Sequence, residues 1–266
     1  MLRWLEKTLF YPYQVFFASE RKENQGMMQK YVKGLVGDLG CGSANYRPFC
    51  LSLPGVTDYL GMDYPVWAEN FNHSVALADS MGALGQTLLR AAPSGAQLWV
   101  DGTRLAIGDN RFDTLLSLGV LEHIPNHRAY LSEVCRVLKP GGCLVITIPF
   151  LYQAHGGAEG ADDFYRWTRS GLVHELKLAG LECLEVEPFG GVGAMFSQLV
   201  NGYLIKKIKV YRPGNPLRPL LLGASLTPLF FLVNCIAWVL ERLDRDSTFA
   251  SGYRAVGRKP FAPPGQ

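Results

Sequence analysis

The chain is 266 residues long, 48% hydrophobic, with a formal net charge of +3, which is enough apolar material for one α/β domain with a full core, or for a domain plus an appendage. So small a charge implies no nucleic-acid partner by itself, and no basic stripe interleaved with aromatics argues for one. The six cysteines, Cys41, Cys50, Cys135, Cys143, Cys183 and Cys235, form no C-x-x-C pair and have no companion histidines at metal spacing; the expectation is a reducing, cytoplasmic compartment with no disulfide framework and no metal.

At the N-terminus, Glu6 and Lys7 interrupt any apolar signal core, so Met1 to Lys7 is not read as a cleavable signal peptide. Six aromatics follow between Trp4 and Phe17. Residues 1–30 are therefore read as an aromatic arm or helix, packed over a sheet or lying at headgroup depth.

Val36 to Ser43 reads V-G-D-L-G-C-G-S, an apolar strand end followed by an acid and two glycines two apart. A strand feeding a helix through such a loop brings bare backbone amides beside a ligand. The dinucleotide fingerprint G-x-G-x-x-G/A would need a small third residue where Asn45 stands, and no Gly-Lys-Ser/Thr follows for a triphosphate. Asp38 adds a negative charge that suits a cationic ligand better than a pyrophosphate. S-adenosylmethionine, with its sulfonium and ammonium, fits that charge logic. Asp63 closes the next apolar run, Tyr59 to Met62, at the offset of roughly 20 residues from which a carboxylate reaches ribose hydroxyls.

In this order the motifs resemble those of the class I S-adenosylmethionine-dependent methyltransferases. The likeness extends through L-W-V-D-G ending at Gly102, F-D-T-L-L-S-L-G-V-L-E-H-I from Phe112 to Ile124, and V-L-K-P-G-G from Val137 to Gly142. It covers about Val36 to Pro188, with Gly252 to Lys259 as a closing strand. It implies an α/β fold, a doubly wound seven-stranded Rossmann-like sheet, to which this sequence adds a helical apolar insertion before the last strand. It further implies S-adenosyl-L-methionine held by Asp38, Gly40, Cys41, Gly42, Asp63, Asp101, Gly102 and Leu118, with Asp101 at the adenine. The Asp63 to Asp101 spacing is longer than the family needs, and the periodic stretch Val75 to Leu89 within it reads as one long helix.

Methyl transfer is an in-line displacement helped chiefly by near-attack positioning, with a base needed only when the nucleophile must lose a proton. His123, just past the fourth strand, is one base candidate, or a residue that closes the cofactor pocket. The polar loop Pro149 to Thr168 supplies two more candidates, His155, flanked by Gly156 and Gly157, and Tyr165. The competing reading makes this loop structural, with Thr168 capping a helix from Arg169 to Leu178 and Arg166 paired with Asp162 or Asp163.

Leu220 to Leu240 contains no charged residue, which meets the length of a membrane-spanning helix. A closing strand on the far side of that run must return to the same sheet, so one crossing is excluded. Val192 to Ile205 is too short for a second crossing, and Pro228 should kink or break the apolar helix. A hairpin or in-plane element with Lys206, Lys207, Lys209, Arg212 and Arg218 at anionic headgroups satisfies both constraints. A lid or a dimer interface is the alternative. The organisation expected is thus an arm (1–30), a cofactor-binding core (31–190), an apolar insertion (191–248), and a closing strand with a loose tail (249–266). The leading reading is a methyltransferase for a lipophilic or lipid-linked small-molecule acceptor, touching the inner face of a membrane through residues 217–243. Its rivals are a soluble small-molecule enzyme and an inactive cofactor-binding scaffold. Oligomeric state is open.

Overall fold

The computed structural model describes residues 14–65, 95–154, 162–210, 217–243 and 249–261. Helix α1 (Gln14–Tyr31) leads into strands β1 (Gly34–Leu39) and β2 (Val56–Asp63), joined through the short helix α2 (Arg47–Leu51). Strand β3 (Leu98–Trp99) and strand β4 (Phe112–Leu118) follow, then a single 3₁₀ turn (Leu121–His123), helix α3 (His127–Val137) and strand β5 (Leu138–Pro149). The chain continues through α4 (Arg169–Leu178), β6 (Glu182–Phe189), α5 (Val192–Val210), α6 (Leu217–Leu243) and β7 (Gly252–Arg258). The long helix expected over Val75 to Leu89 and the base candidate His155 lie outside the described residues.

The seven strands form one sheet in the order β3-β2-β1-β4-β5-β7-β6. Strand β1 pairs in parallel with β2 and β4, β2 with β3, and β4 with β5. Buried on both faces, these central strands appear in sequence as near-continuous apolar runs; Leu115, Leu116, Leu144, Val145 and Ile146 are all buried. Strand β7 runs against its neighbour β5. Gly141 N–H donates to Lys259 O and Phe150 N–H to Ser251 O, so β7 descends as β5 ascends. The cause is visible at Ser251, whose N–H donates to the carbonyls of Phe189 and Gly190. The chain re-enters the sheet where it left, and strands joined at one end run antiparallel.

The chain divides into two compact units. The larger comprises residues 25–149, 154–187 and 253–266 and contains the parallel sheet. Its core packs Met27 and Met28 of α1, and Val32 just after it, against Val36, Cys50, Tyr59, Leu116, Val145 and Val256. At the start of the tail the Phe261 ring lies beside Gly141 with most of its surface exposed.

The smaller unit, residues 1–24, 150–153 and 188–252, contains the paired helices α5 and α6. Helix α6 runs through Pro228 and does not break there. Proline costs the helix one backbone hydrogen bond, and the contacts of α6 along α5 offset that loss.

Candidate active site

The cavity begins where β1 ends. Gly40 and Gly42 both have positive φ (74° and 53°), a conformation that a Cβ disfavours. At Gly40 a Cβ would also stand 2.4 Å from Val120 Cγ2. The turn is tied to the next strand, since the N–H groups of Gly40 and Cys41 donate to Met62 O at 2.8 and 3.1 Å. Gly42 N–H donates to Asp63 Oδ2 and Tyr64 N–H to Asp63 Oδ1, each at 2.8 Å. Asp63 is buried, and desolvation raises its pKa above the ordinary carboxylate value. Each of its oxygens still has a second lone pair for a ligand hydroxyl.

After β3, Asp101 Oδ1 accepts from Thr103 N–H at 2.8 Å and from Thr103 Oγ1 at 2.7 Å, which fixes the turn there. Gly102 lies against the Tyr130 ring, where a Cβ would come within 2.6 Å. The Tyr130 hydroxyl meets Ser117 Oγ at 2.8 Å. The resulting cavity of about 550 Å³ is lined by Gly40, Gly42, Asp63, Asp101 and Gly102, together with His123, Ile124, Asn126 and Phe164.

Three of the residues expected at the cofactor stand elsewhere. Asp38 is buried beneath the loop, where the Tyr59 hydroxyl donates to its Oδ2, and burial pushes its pKa up to about 7. Cys41 is buried, with its thiol pushed up to about 12 by desolvation. Leu118 packs against the core. None of the three lines the cavity.

His123 Nδ1 lies 2.9 Å from the backbone carbonyl of Asp162. A carbonyl only accepts, so Nδ1 carries the hydrogen and Nε2 of the neutral ring keeps its lone pair. Glu122 Oε1 is 3.9 Å from that Nε2. Tyr165 is differently placed. Its hydroxyl donates to Pro125 O at 2.9 Å, and its ring lies edge-on to His127 and tilted over Trp167. It does not line the cavity. Further along, Thr168 caps α4 through Gly171 N–H at 3.1 Å and Arg166 pairs with Asp163. Tyr64, Asn126 and Phe164 line the cavity without having been singled out from the sequence. Tyr64 had a signal, being the residue directly after Asp63.

Asp63, Asp101 and Asp162 line the cavity, and among the described residues no Lys or Arg does. That composition suits a ligand offering hydroxyls and positive charge and opposes a pyrophosphate. Sheet order, glycine turn and strand-end acids together define a class I methyltransferase fold. Residues 37–146 match the family model described as a methyltransferase domain. The chain is 28% identical over 140 residues to the probable tRNA methyltransferase 9B of Mus musculus, covering 51% of this chain and 26% of that protein. It is 24% identical over 172 residues to the mitochondrial ubiquinone biosynthesis O-methyltransferase of Dictyostelium discoideum, covering 61% and 53%. The crystal structure of the [4+2]-cyclase SpnF superposes with a TM-score of 0.54 at 18% identity over 91% of this chain and 82% of that one. The chain thus carries a methyltransferase domain of the S-adenosylmethionine-dependent class, and spans between about a quarter and about half of the curated relatives' lengths.

Proposed function

We propose that the protein transfers a methyl group from S-adenosylmethionine to a hydroxyl of a lipophilic or lipid-linked small molecule, at the inner, cytoplasmic face of a membrane. The observation that carries the reading is His123, whose Nδ1 is committed to Asp162 O within a cavity that also holds the acid clamp of Asp63. The bound cofactor supplies an electrophilic methyl on a sulfonium. Asp63 accepts from the ribose hydroxyls, and Gly40 and Gly42 give the cofactor room beside the backbone. His123 Nε2 takes the hydroxyl proton as the oxygen attacks, and Glu122, 3.9 Å away, offsets the charge the imidazole gains. Ile124, Pro125 and Phe164 give the acceptor end an apolar wall.

The printed name of the Dictyostelium relative specifies an O-methyltransferase of ubiquinone biosynthesis, an oxygen acceptor on a lipophilic molecule. Another relative is named a tRNA methyltransferase. A cavity lined by three acids and no basic side chain among the described residues favours the small-molecule acceptor over a polyanion. The membrane setting is supported by Leu226–Leu243, a helical stretch long and apolar enough to cross a bilayer.

The test is calorimetric titration of the full chain with S-adenosylmethionine and with its demethylated product, followed by transfer of labelled methyl to total membrane lipid extract. Binding of both and label in the organic phase are expected. Binding of neither refutes the cofactor assignment, and label entering only water-soluble acceptors or RNA refutes the acceptor class.

A further inference from the structure

The α5–α6 pair has its polarity reversed relative to a water-soluble helical hairpin. Ser197, Gln198, Asn201 and Asn234 are fully buried. Ser197 Oγ donates to Asn234 Oδ1 at 2.6 Å, and Asn201 Nδ2 donates to the same oxygen at 3.1 Å. The Gln198 carboxamide is buried with neither its oxygen nor its nitrogen hydrogen-bonded. Outside, Leu199 and Tyr203 of α5 are exposed, as are Leu229, Leu232, Ile236, Val239 and Leu243 along one side of α6. Only 22% of the Leu226–Leu243 window is buried.

In water this arrangement is costly twice, because it hides polar groups and displays apolar ones. In hydrocarbon it is favourable on both counts. Helices in lipid gain nothing from burying apolar side chains against each other, and they associate through small residues and interhelical hydrogen bonds. The seam has both. A Cβ on Gly193 would stand 2.0 Å from Ala237 O and 2.6 Å from Glu241 N, so the two backbones touch there. At the same end the Glu241 carboxylate turns inward and accepts from Gly191 and Ala194 N–H, each at 2.9 Å, while Arg242 lies 3.6 Å over the Trp238 ring. A tryptophan with a neighbouring cation is the composition of a bilayer interface.

We infer that the α5–α6 hairpin is immersed in one leaflet of an anionic bilayer, with apolar side chains against the acyl chains and the polar seam inside. The inference rests on the membrane setting proposed above. Both ends of the hairpin meet at the Ser251–Gly190 hydrogen bond, so they share one side of the membrane. The apolar part of α5, Val192–Ile205, is about 21 Å long at 1.5 Å per residue, against a hydrocarbon thickness of about 30 Å. The intervening sequence from Lys206 to Arg218 has five basic residues and no acid. It belongs among anionic headgroups on the near side and resists transfer across the bilayer.

The experiment uses the purified full chain with vesicles of phosphatidylcholine alone and of phosphatidylcholine mixed with phosphatidylglycerol. Expected are flotation with the anionic vesicles, quenching of Trp238 by brominated acyl chains that is lost in Trp238→Phe, and labelling of Lys206, Lys207 and Lys209 by a membrane-impermeant amine reagent added outside. The double variant Leu232→Glu, Ile236→Glu should lose at least tenfold in vesicle-bound fraction while its cofactor titration is unchanged. Two results overturn the inference: no flotation with either vesicle, as for a stable dimer that covers its apolar face with a second copy, or protection of those lysines inside the vesicle as a spanning pair requires. The cofactor titration separates its failure from failure of the methyltransferase reading, since a binder that ignores vesicles refutes only the hairpin.

Discussion

Gly42 N–H donates to Asp63 Oδ2 at 2.8 Å, so the loop ending β1 and the acid ending β2 hold each other before any ligand arrives. The other oxygen of Asp63 accepts from Tyr64 N–H at the same distance. An asparagine here is therefore no conservative change, because its NH₂ must face one of two backbone donors. Removing a charge-assisted bond of this kind costs about 1.5–3 kcal/mol. Asp63→Asn should weaken cofactor binding roughly 10- to 100-fold with the fold retained. Calorimetry measures it, and wild-type affinity in Asp63→Asn would refute the clamp.

Gly40 offers a steric test of the same loop. Its φ of 74° costs an alanine about 1–2 kcal/mol, and the added Cβ must displace Val120, which lies 2.4 Å from its position. Gly40→Ala should lose cofactor binding by about 100-fold or more. Gly55→Ala, also at positive φ but with open space around it, should lower only thermal stability. Equal binding in the two variants would show that the turn's shape has no bearing on the cofactor.

What the sequence made legible follows from what a chain pattern can encode. Parallel strands buried on both faces show as apolar runs closed by Gly or Asp, which locates β1, β2, β4 and β5 and the cavity residues Gly40, Gly42 and Asp63. The D-x-G-x-G pattern has no information on which acid faces ligand. Asp38 on β1 pairs with Gly61 of β2, and its carboxylate accepts from the Tyr59 hydroxyl two residues back along β2, a contact that only the pairing of those strands creates. The direction of β7 was equally hidden, since an apolar run has no polarity along the chain. Tyr165 required the edge-on contact of its ring with His127, a contact across 38 residues that no local pattern announces.

The placement of Tyr165 separates it from His123 experimentally. Tyr165→Phe removes one hydrogen bond, to Pro125 O, and should lower stability by about 1 kcal/mol while leaving turnover within a few-fold. His123→Gln should reduce turnover by about 10²–10⁴ while cofactor affinity holds. Thermal melts and single-turnover methyl transfer check the pair. A larger turnover loss in Tyr165→Phe than in His123→Gln would return the tyrosine to the chemistry.

Asp38 predicts a pH dependence whose sign runs against the usual carboxylate case. Burial is the main cause of its raised pKa, about 7 in the fold against 3.8 for the free side chain, and the Tyr59 hydroxyl pulls the other way by donating to the carboxylate. Between those two values the native state holds a proton that the unfolded state has released. Stability therefore falls as pH rises through that window and levels off above about 7. At about 1.4 kcal/mol per pH unit the upper limit of the effect is about 4 kcal/mol. Asp38→Asn keeps a carbonyl oxygen for Tyr59 and removes the titration. Its unfolding free energy should match the wild type near pH 4 and exceed it by a few kcal/mol at pH 8. Denaturant melts of both proteins across that range decide the matter, because a constant difference at every pH would mean that the buried carboxyl does not change its charge on folding.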